Sequence, residues 1–497
     1  MPHHWLQIFH RSCFISCWLN KCDTLALHWP DHISLQTLER MSLATMNDTV
    51  SGQTALHYKV CIFSKAIIFV SRWLRLCSPG ILADNLEKSR EKYIAACLEC
   101  LTLIDFSRSP SLSMLQALLC GASLVQLLGD TTRSWHMTSL ASRALVALGY
   151  HSSTAVTQSD DHDESEVRRC IYWCYYMDKT LSMLLARPSS LPVLPFHPID
   201  LVDTDPEYPL SYKVRILVKL AQVQDNSLFL MMRDRKQNLT EAHESALVEN
   251  LHVELRFISE EIRQYRTEYA DHPTLKIEWD AVDFTFFSIA TGILRFDSLP
   301  SHNHKRREEC LRYARKALFA MQACQRHIST PSTITTDFLF WTVLLYPMTP
   351  FFVIFCNVVA TSNQEDFELL KEVTSMISRI KDQCTFGLNL HRLLSELINL
   401  CSNLHDRHLS DGSDNNKFHV HSSRYGNISK DFETQASFLT VPVEEGSSAP
   451  TLSSPDQQAA NYDNYYEQRG NTTIWNEGLM WELYNTQPSV EWLNSIL

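Results

Sequence analysis

The sequence predicts an all-α protein: a large multi-helix domain with a disordered acidic C-terminal tail. Three observations carry that prediction. The chain of 497 residues holds only 12 glycines, too few for many tight hairpins. Apolar residues recur at i, i+3, i+4 and i+7 across most of residues 85–404. Nothing in that stretch alternates as strands do.

The elements follow in order. Residues 1–50 are rich in His, Cys and Trp without a sustained period and read as a variable arm. An apolar run over 58–75, with Lys65 inside it, predicts a buried helix, and Leu86, Tyr93, Ile94, Cys97, Leu101 and Ile104 predict a second over 85–105. Ser111 is placed to cap a broadly apolar helix over 112–128 that stops at Gly129; the next, over 133–148, stops at Gly149. A polar, acidic loop over 152–163 precedes a helix over 164–185, which Arg187-Pro188 closes. Pro192, Pro195, Pro198, Pro206 and Pro209 then mark an extended connection. Further helices are predicted over 211–233, 242–270, 279–296, 304–327, 333–345, 350–361, 367–381 and 388–404.

Residues 338–360 carry no charge and are long enough on paper to span a bilayer, which makes a helical membrane-associated protein an alternative. Pro347, Pro350 and the polar Thr342, Thr349 and Asn357 argue instead for two buried helices. Beyond residue 405 the chain turns to Ser, Asn, Asp and Gly, a composition that buries too little apolar area to offset chain entropy. Its last stretch, 474–497, differs. Trp475, Leu479 and Leu483 are spaced at i, i+4 and i+8, with Trp481 and Trp492 set among acidic residues. This pattern suits a segment folding into a partner's groove, or equally a terminal helix docking back on its own domain.

Charge limits the partners. The formal net charge is −12, and residues 402–497 alone hold 13 acidic against 5 basic side chains. Such a chain does not grip phosphate backbones without a separate basic module. Fifteen cysteines, an odd number scattered through apolar stretches, read as reduced and buried rather than as a disulfide framework. Cys13, Cys17 and Cys22 with His28 and His32 are the nearest approach to a metal pattern, but their spacing matches no zinc finger. No GxGxxG, P-loop, GxSxG or HExxH is present, so no catalytic or cofactor-binding residues are assigned and an enzyme is not expected. A metal-dependent helical enzyme rests only on His151, Asp160, Asp161, His162, Asp163 and Glu164, whose polar loop context favours solvated charge.

The most informative residues lie between 111 and 200. Glu166, Arg168, Arg169, Trp173, Tyr176, Asp178 and Ser182, followed by Ala186-Arg187-Pro188, make an ordered pattern on one helix and its exit. Val167, Cys170, Ile171, Cys174, Met177, Leu181 and Leu184 form that helix's buried stripe, which puts Arg168, Arg169, Asp178 and Ser182 at its edges. The charged set is expected chiefly to hold helices in register, with ligand sensing by Arg187 or Arg168 as the alternative. Upstream, Leu115-Gln116 and the run from Ala144 to His151 complete the pattern.

These residues resemble the regulatory, or middle homology, domain of fungal zinc-cluster transcription factors. That family usually has Arg where Lys179 stands and Gly where Ala186 stands. The resemblance implies a nuclear transcription regulator of a metabolic or secondary-metabolite pathway, with a domain over 85–404 and its core signature over 111–200. It also implies homo- or heterodimers, a coactivator met through the tail, and a small-molecule effector that the residues do not identify. The family's zinc cluster needs six cysteines in two close groups, a spacing not found here. DNA contact is therefore expected through a partner or through a zinc cluster not included in this sequence, and no other cofactor is expected.

Overall fold

The computed structural model describes residues 32–74, 80–152, 162–205, 209–231, 241–269, 273–295, 304–326, 346, 348–378 and 385–411. Within them every regular element is helical: α1 Leu35–Met46, α2 Gly52–Leu74, α3 Ile81–Thr102, α4 Leu112–Leu127, α5 Thr131–Ala147, α6 His162–Leu185, a 3-10 turn Pro198–Leu201, α7 Leu210–Met231, α8 Glu241–Glu268, α9 Pro273–Leu294, α10 His304–Arg326, α11 Thr349–Thr361, α12 Gln364–Ser378 and α13 Thr385–Asp411. The protein is all-α, as its sequence predicts. The helix expected over 333–345 and the tail with Trp475, Leu479, Trp481, Leu483 and Trp492 lie outside the described residues.

Helix α4 is the apolar centre of the first half. Ser111 Oγ accepts from Met114 N at 3.2 Å to cap it, and all but four of its side chains are buried. At its end Gly129 takes φ +83, the left-handed conformation that costs glycine nothing, while Asp130 N donates back to Val125 O at 3.0 Å. Asp130 then caps α5 through Arg133 N at 2.9 Å, so one tight corner stops a helix and starts the next. The antiparallel partners α4 and α5 pack closely because Gly121 presents no Cβ to the Met137 and Leu101 side chains. Around this pair α2 packs on α1, α3 and α4, and α6 packs on α4, α5 and α7. Helices α7, α8 and α9 contact one another, and α10 runs along α9.

Helix α1 lies in the stretch read from sequence as a variable arm. Its buried face is Thr37, Leu38, Met41, Ser42 and Thr45, in which three hydroxyls dilute the apolar period. Ser42 Oγ and Thr45 Oγ1 donate to the carbonyls one turn back, both at 2.8 Å, so they are buried without an unmet hydrogen bond. Helix α9 starts six residues before the expected position, at Pro273, whose missing N–H is harmless in a first turn.

The chain divides into two compact units, the second beginning at Phe351. The sequence reading runs one domain over 85–404. In the second unit α12 packs on α13, and Asn357 Nδ2 donates to the buried Asp366 Oδ2 at 2.8 Å, joining α11 to α12. Of the uncharged stretch 338–360, residues 349–360 lie in α11, a helix of 13 residues with Phe351, Ile354 and Phe355 buried. Among the described residues Gly52–Ser71 of α2 is long and apolar enough to cross a membrane; 56% of it is buried inside the fold.

Candidate functional site

The signature residues fall at the two ends of α6 and join it to segments far away in the chain. At the N-terminal end Glu166 is 1% exposed. Its Oε1 accepts from Ser34 N at 2.9 Å, and its Oε2 accepts from Gln116 Nε2 at 2.8 Å. Gln116 Nε2 also donates to His32 O at 3.3 Å, and the Cys170 thiol donates to the same carbonyl at 3.7 Å. His32 turns its ring inward, with Nε2 3.3 Å from Gln116 O and 3.4 Å from Cys120 Sγ. Residues 32–34 thus form a strap fixed to α4 and α6, and Ser34 goes on to cap α1 through Thr37 N at 3.1 Å. His32, part of the nearest metal-like pattern in the sequence, is a core imidazole here. Its companions Cys13, Cys17, Cys22 and His28 lie outside the described residues.

At the C-terminal end the chain reverses. Ala186 takes φ +51, and Arg187 N donates to Ser182 O at 2.9 Å, closing a left-handed cap. Pro188 lies just past it, and Ser182 Oγ donates to Pro188 O at 3.4 Å. The returning loop is read by Asp178, whose Oδ1 accepts from Ser190 N at 2.9 Å and Oδ2 from Leu191 N at 3.1 Å. Beside it Lys179, 4% exposed, donates to Leu191 O at 3.3 Å and pairs with Asp178 at 3.5 Å and Asp225 of α7 at 3.2 Å. Ser189 Oγ donates to Asp225 Oδ1 at 3.2 Å, and Ser190 Oγ meets Ser139 Oγ of α5 at 2.7 Å. One short loop therefore ties α5, α6 and α7 together.

Asp178 and Ser182, expected at the helix edges, are buried. The difference arises because the 187–191 loop covers the edge that periodicity alone leaves open. Burial pushes the Asp178 carboxyl above its ordinary value, opposed by Lys179 and by the two backbone N–H groups. Arg187 stacks its guanidinium 4.5 Å over the Trp135 ring of α5. Trp173 is buried edge-on to Tyr176 with ring centroids 5.5 Å apart, and Tyr176 Oη meets Tyr346 Oη at 3.0 Å. Arg168 reaches toward the exposed Asp203 at 3.9 Å, and Arg169 is half-buried.

Lys179 and Asp225 are functionally placed residues that sequence reasoning missed. Lys179 stands out only as a departure from the family pattern, and Asp225 sits in a separate predicted helix. The Glu166 and Gln116 pairing did carry a signal, since both stand in the resemblance, but nothing in the order of residues links them across 50 positions. Chemically, the arrangement gives the buried Glu166, Asp178 and Lys179 partners among backbone groups, the Gln116 amide and opposite charges. Among the described residues no three His, Cys, Asp or Glu side chains converge as a metal site. Of the metal candidates His151, Asp160, Asp161, His162, Asp163 and Glu164, only His151 and Glu164 have described side chains.

Residues 32–213 match the sequence model of the fungal specific transcription factor domain. An uncharacterized transcriptional regulatory protein of Schizosaccharomyces pombe is 24% identical over 323 residues, covering 59% of this chain and 50% of that protein. The activatory protein CHA4 of Saccharomyces cerevisiae is 25% identical over 196 residues, covering 38% of this chain and 26% of its own. The chain thus spans half or less of the length of these curated relatives. No solved structure matches significantly.

Proposed function

We propose that this chain is a nuclear transcription regulator whose helical domain is a non-catalytic scaffold. The observation that carries the reading is the family match over 32–213, which begins at the strap and includes both of its attachment points, Gln116 and Glu166. The strap sits at the start of the match: without residues 32–34, the buried Glu166 carboxylate and the buried Gln116 amide each lose one partner. Both curated relatives are described as regulatory or activatory proteins, which supports the same reading.

In this proposal the domain forms homo- or heterodimers, and DNA contact comes from a zinc cluster or from a partner, because the acidic chain itself repels phosphate. The segment 474–497 recruits a coactivator, and the regulated genes serve a metabolic or secondary-metabolite pathway. The arginines at the signature helix, Arg168 and Arg187, are positioning residues in this scheme, and a small-molecule effector acts elsewhere on the domain.

The test is a fusion of the full chain to a heterologous DNA-binding domain, read with a reporter gene in a fungal host. A change in reporter output that disappears when Trp475, Leu479 and Trp481 are replaced by alanine supports the proposal. Unchanged output from a well-expressed, nuclear fusion would sink it.

A further inference from the structure

Helices α6, α7 and α9 bring uncharged polar side chains to one level of the core. Thr180 Oγ1 of α6 donates to Gln224 Oε1 of α7 at 3.0 Å, and one turn on, Ser227 Oγ donates to Met183 Sδ at 3.8 Å. A Cβ placed on Gly292 of α9 would lie 3.8 Å from the methyl carbon of that same Met183. Helices α7 and α9 also contact each other in parallel register. Lys213 pairs with Glu278 across an offset of 65 positions, and Gly292 stands at the same offset from Ser227. Ser288, one turn before Gly292, is therefore level with Gln224, one turn before Ser227.

At this level two groups have no hydrogen-bond partner among the described residues, Gln224 Nε2 and Ser288 Oγ. Each residue is 1% exposed. A native core satisfies nearly all such groups, so two left over on facing helices call for a partner from outside the chain. Room accompanies them. Gly292 is buried without a left-handed φ, so its backbone does not require glycine. Its chain neighbours and own helix backbone aside, Met183 is the one described residue within 4 Å of a Cβ there, and a flexible thioether makes an adjustable wall. The charges next in sequence, Lys179 and Asp225, pair with each other and hold the 187–191 loop.

We propose that the α6–α7–α9 junction binds a small uncharged molecule with a branched apolar body and a primary amide head. It would be the effector of the regulator proposed above, and the inference rests on that reading. Gln224 Nε2 donates to the carbonyl oxygen of the head, the amide nitrogen donates to Ser288 Oγ, and the body fills the space between Gly292 and Met183. A carboxylate head would be buried without a cation on the site, which costs far more than burying an amide. Occupancy ties the signature helix to α7 and α9, so the ligand stabilises the folded domain.

The experiment titrates the purified full chain with isobutyramide, read by saturation-transfer NMR and by Tm. Saturable binding with a Kd of about 1 mM or tighter and a rising Tm are expected, with isobutyrate at least about tenfold weaker. Ser288→Ala adds no volume and should weaken binding about tenfold. Gly292→Leu, checked for helicity by circular dichroism, should abolish it by filling the space. No saturable binding to the native chain, isobutyrate bound as tightly as the amide, or an unchanged Kd in Ser288→Ala overturns the proposal. Binding is read without transcription, so its failure is distinct from a silent reporter fusion.

Discussion

Buried polar residues carry most of the specificity of this fold, and single substitutions expose how. Replacing Glu166 by alanine leaves Ser34 N and the Gln116 amide short of acceptors inside the protein. The expected cost is about 2–4 kcal/mol, read as a lower denaturation midpoint, with faster hydrogen exchange at Ser34. Asp178→Ala leaves the N–H groups of Ser190 and Leu191 unmet and Lys179 with Asp225 as its remaining carboxylate. A loss of about 3 kcal/mol is expected, and a change under 1 kcal/mol would contradict the account. His57 is a third case. Its Nδ1 lies 3.2 Å from Ser113 Oγ, and burial lowers its pKa. The folded state therefore holds fewer protons than the unfolded chain once pH drops below about 6.5. Stability present at neutral pH should fall from there toward the depressed value, and H57Q should flatten that limb of a pH–stability curve.

At the scale of the element, caps decide where helices stop. Ala186 sits in a left-handed conformation at the end of α6, where a Cβ is strained. Ala186→Gly should therefore stabilise the protein by about 1 kcal/mol, seen as a higher Tm, even though glycine weakens most helical positions. Ser111→Ala should remove the α4 cap at a cost of about 1 kcal/mol. Helix existence was legible from apolar spacing through most of α2–α13, because long helices repeat their stripe several times. Helix α1 was not: at 12 residues it repeats too few times, and its buried Thr37, Ser42 and Thr45 look polar in sequence. The same limit applied to the α6 edge, since a loop that covers a helix leaves no mark on that helix's own period.

For the whole molecule, charge makes the clearest prediction. With a net charge of −12, this chain alone should give no salt-sensitive shift of duplex DNA at physiological ionic strength. Electrophoretic mobility of a labelled duplex checks this, and a basic partner should restore binding if one supplies the contact. Composition and periodicity by themselves determined the helical class, the acidic balance and the order of the helices, because each depends only on nearby residues or on totals. The signature residues were likewise readable as a group on one helix. Only the tertiary structure decided that Glu166 holds a strap 132 residues upstream and that Lys179 and Asp225 meet. Those pairings depend on how helices distant in sequence are brought together, and local residue order carries no record of that.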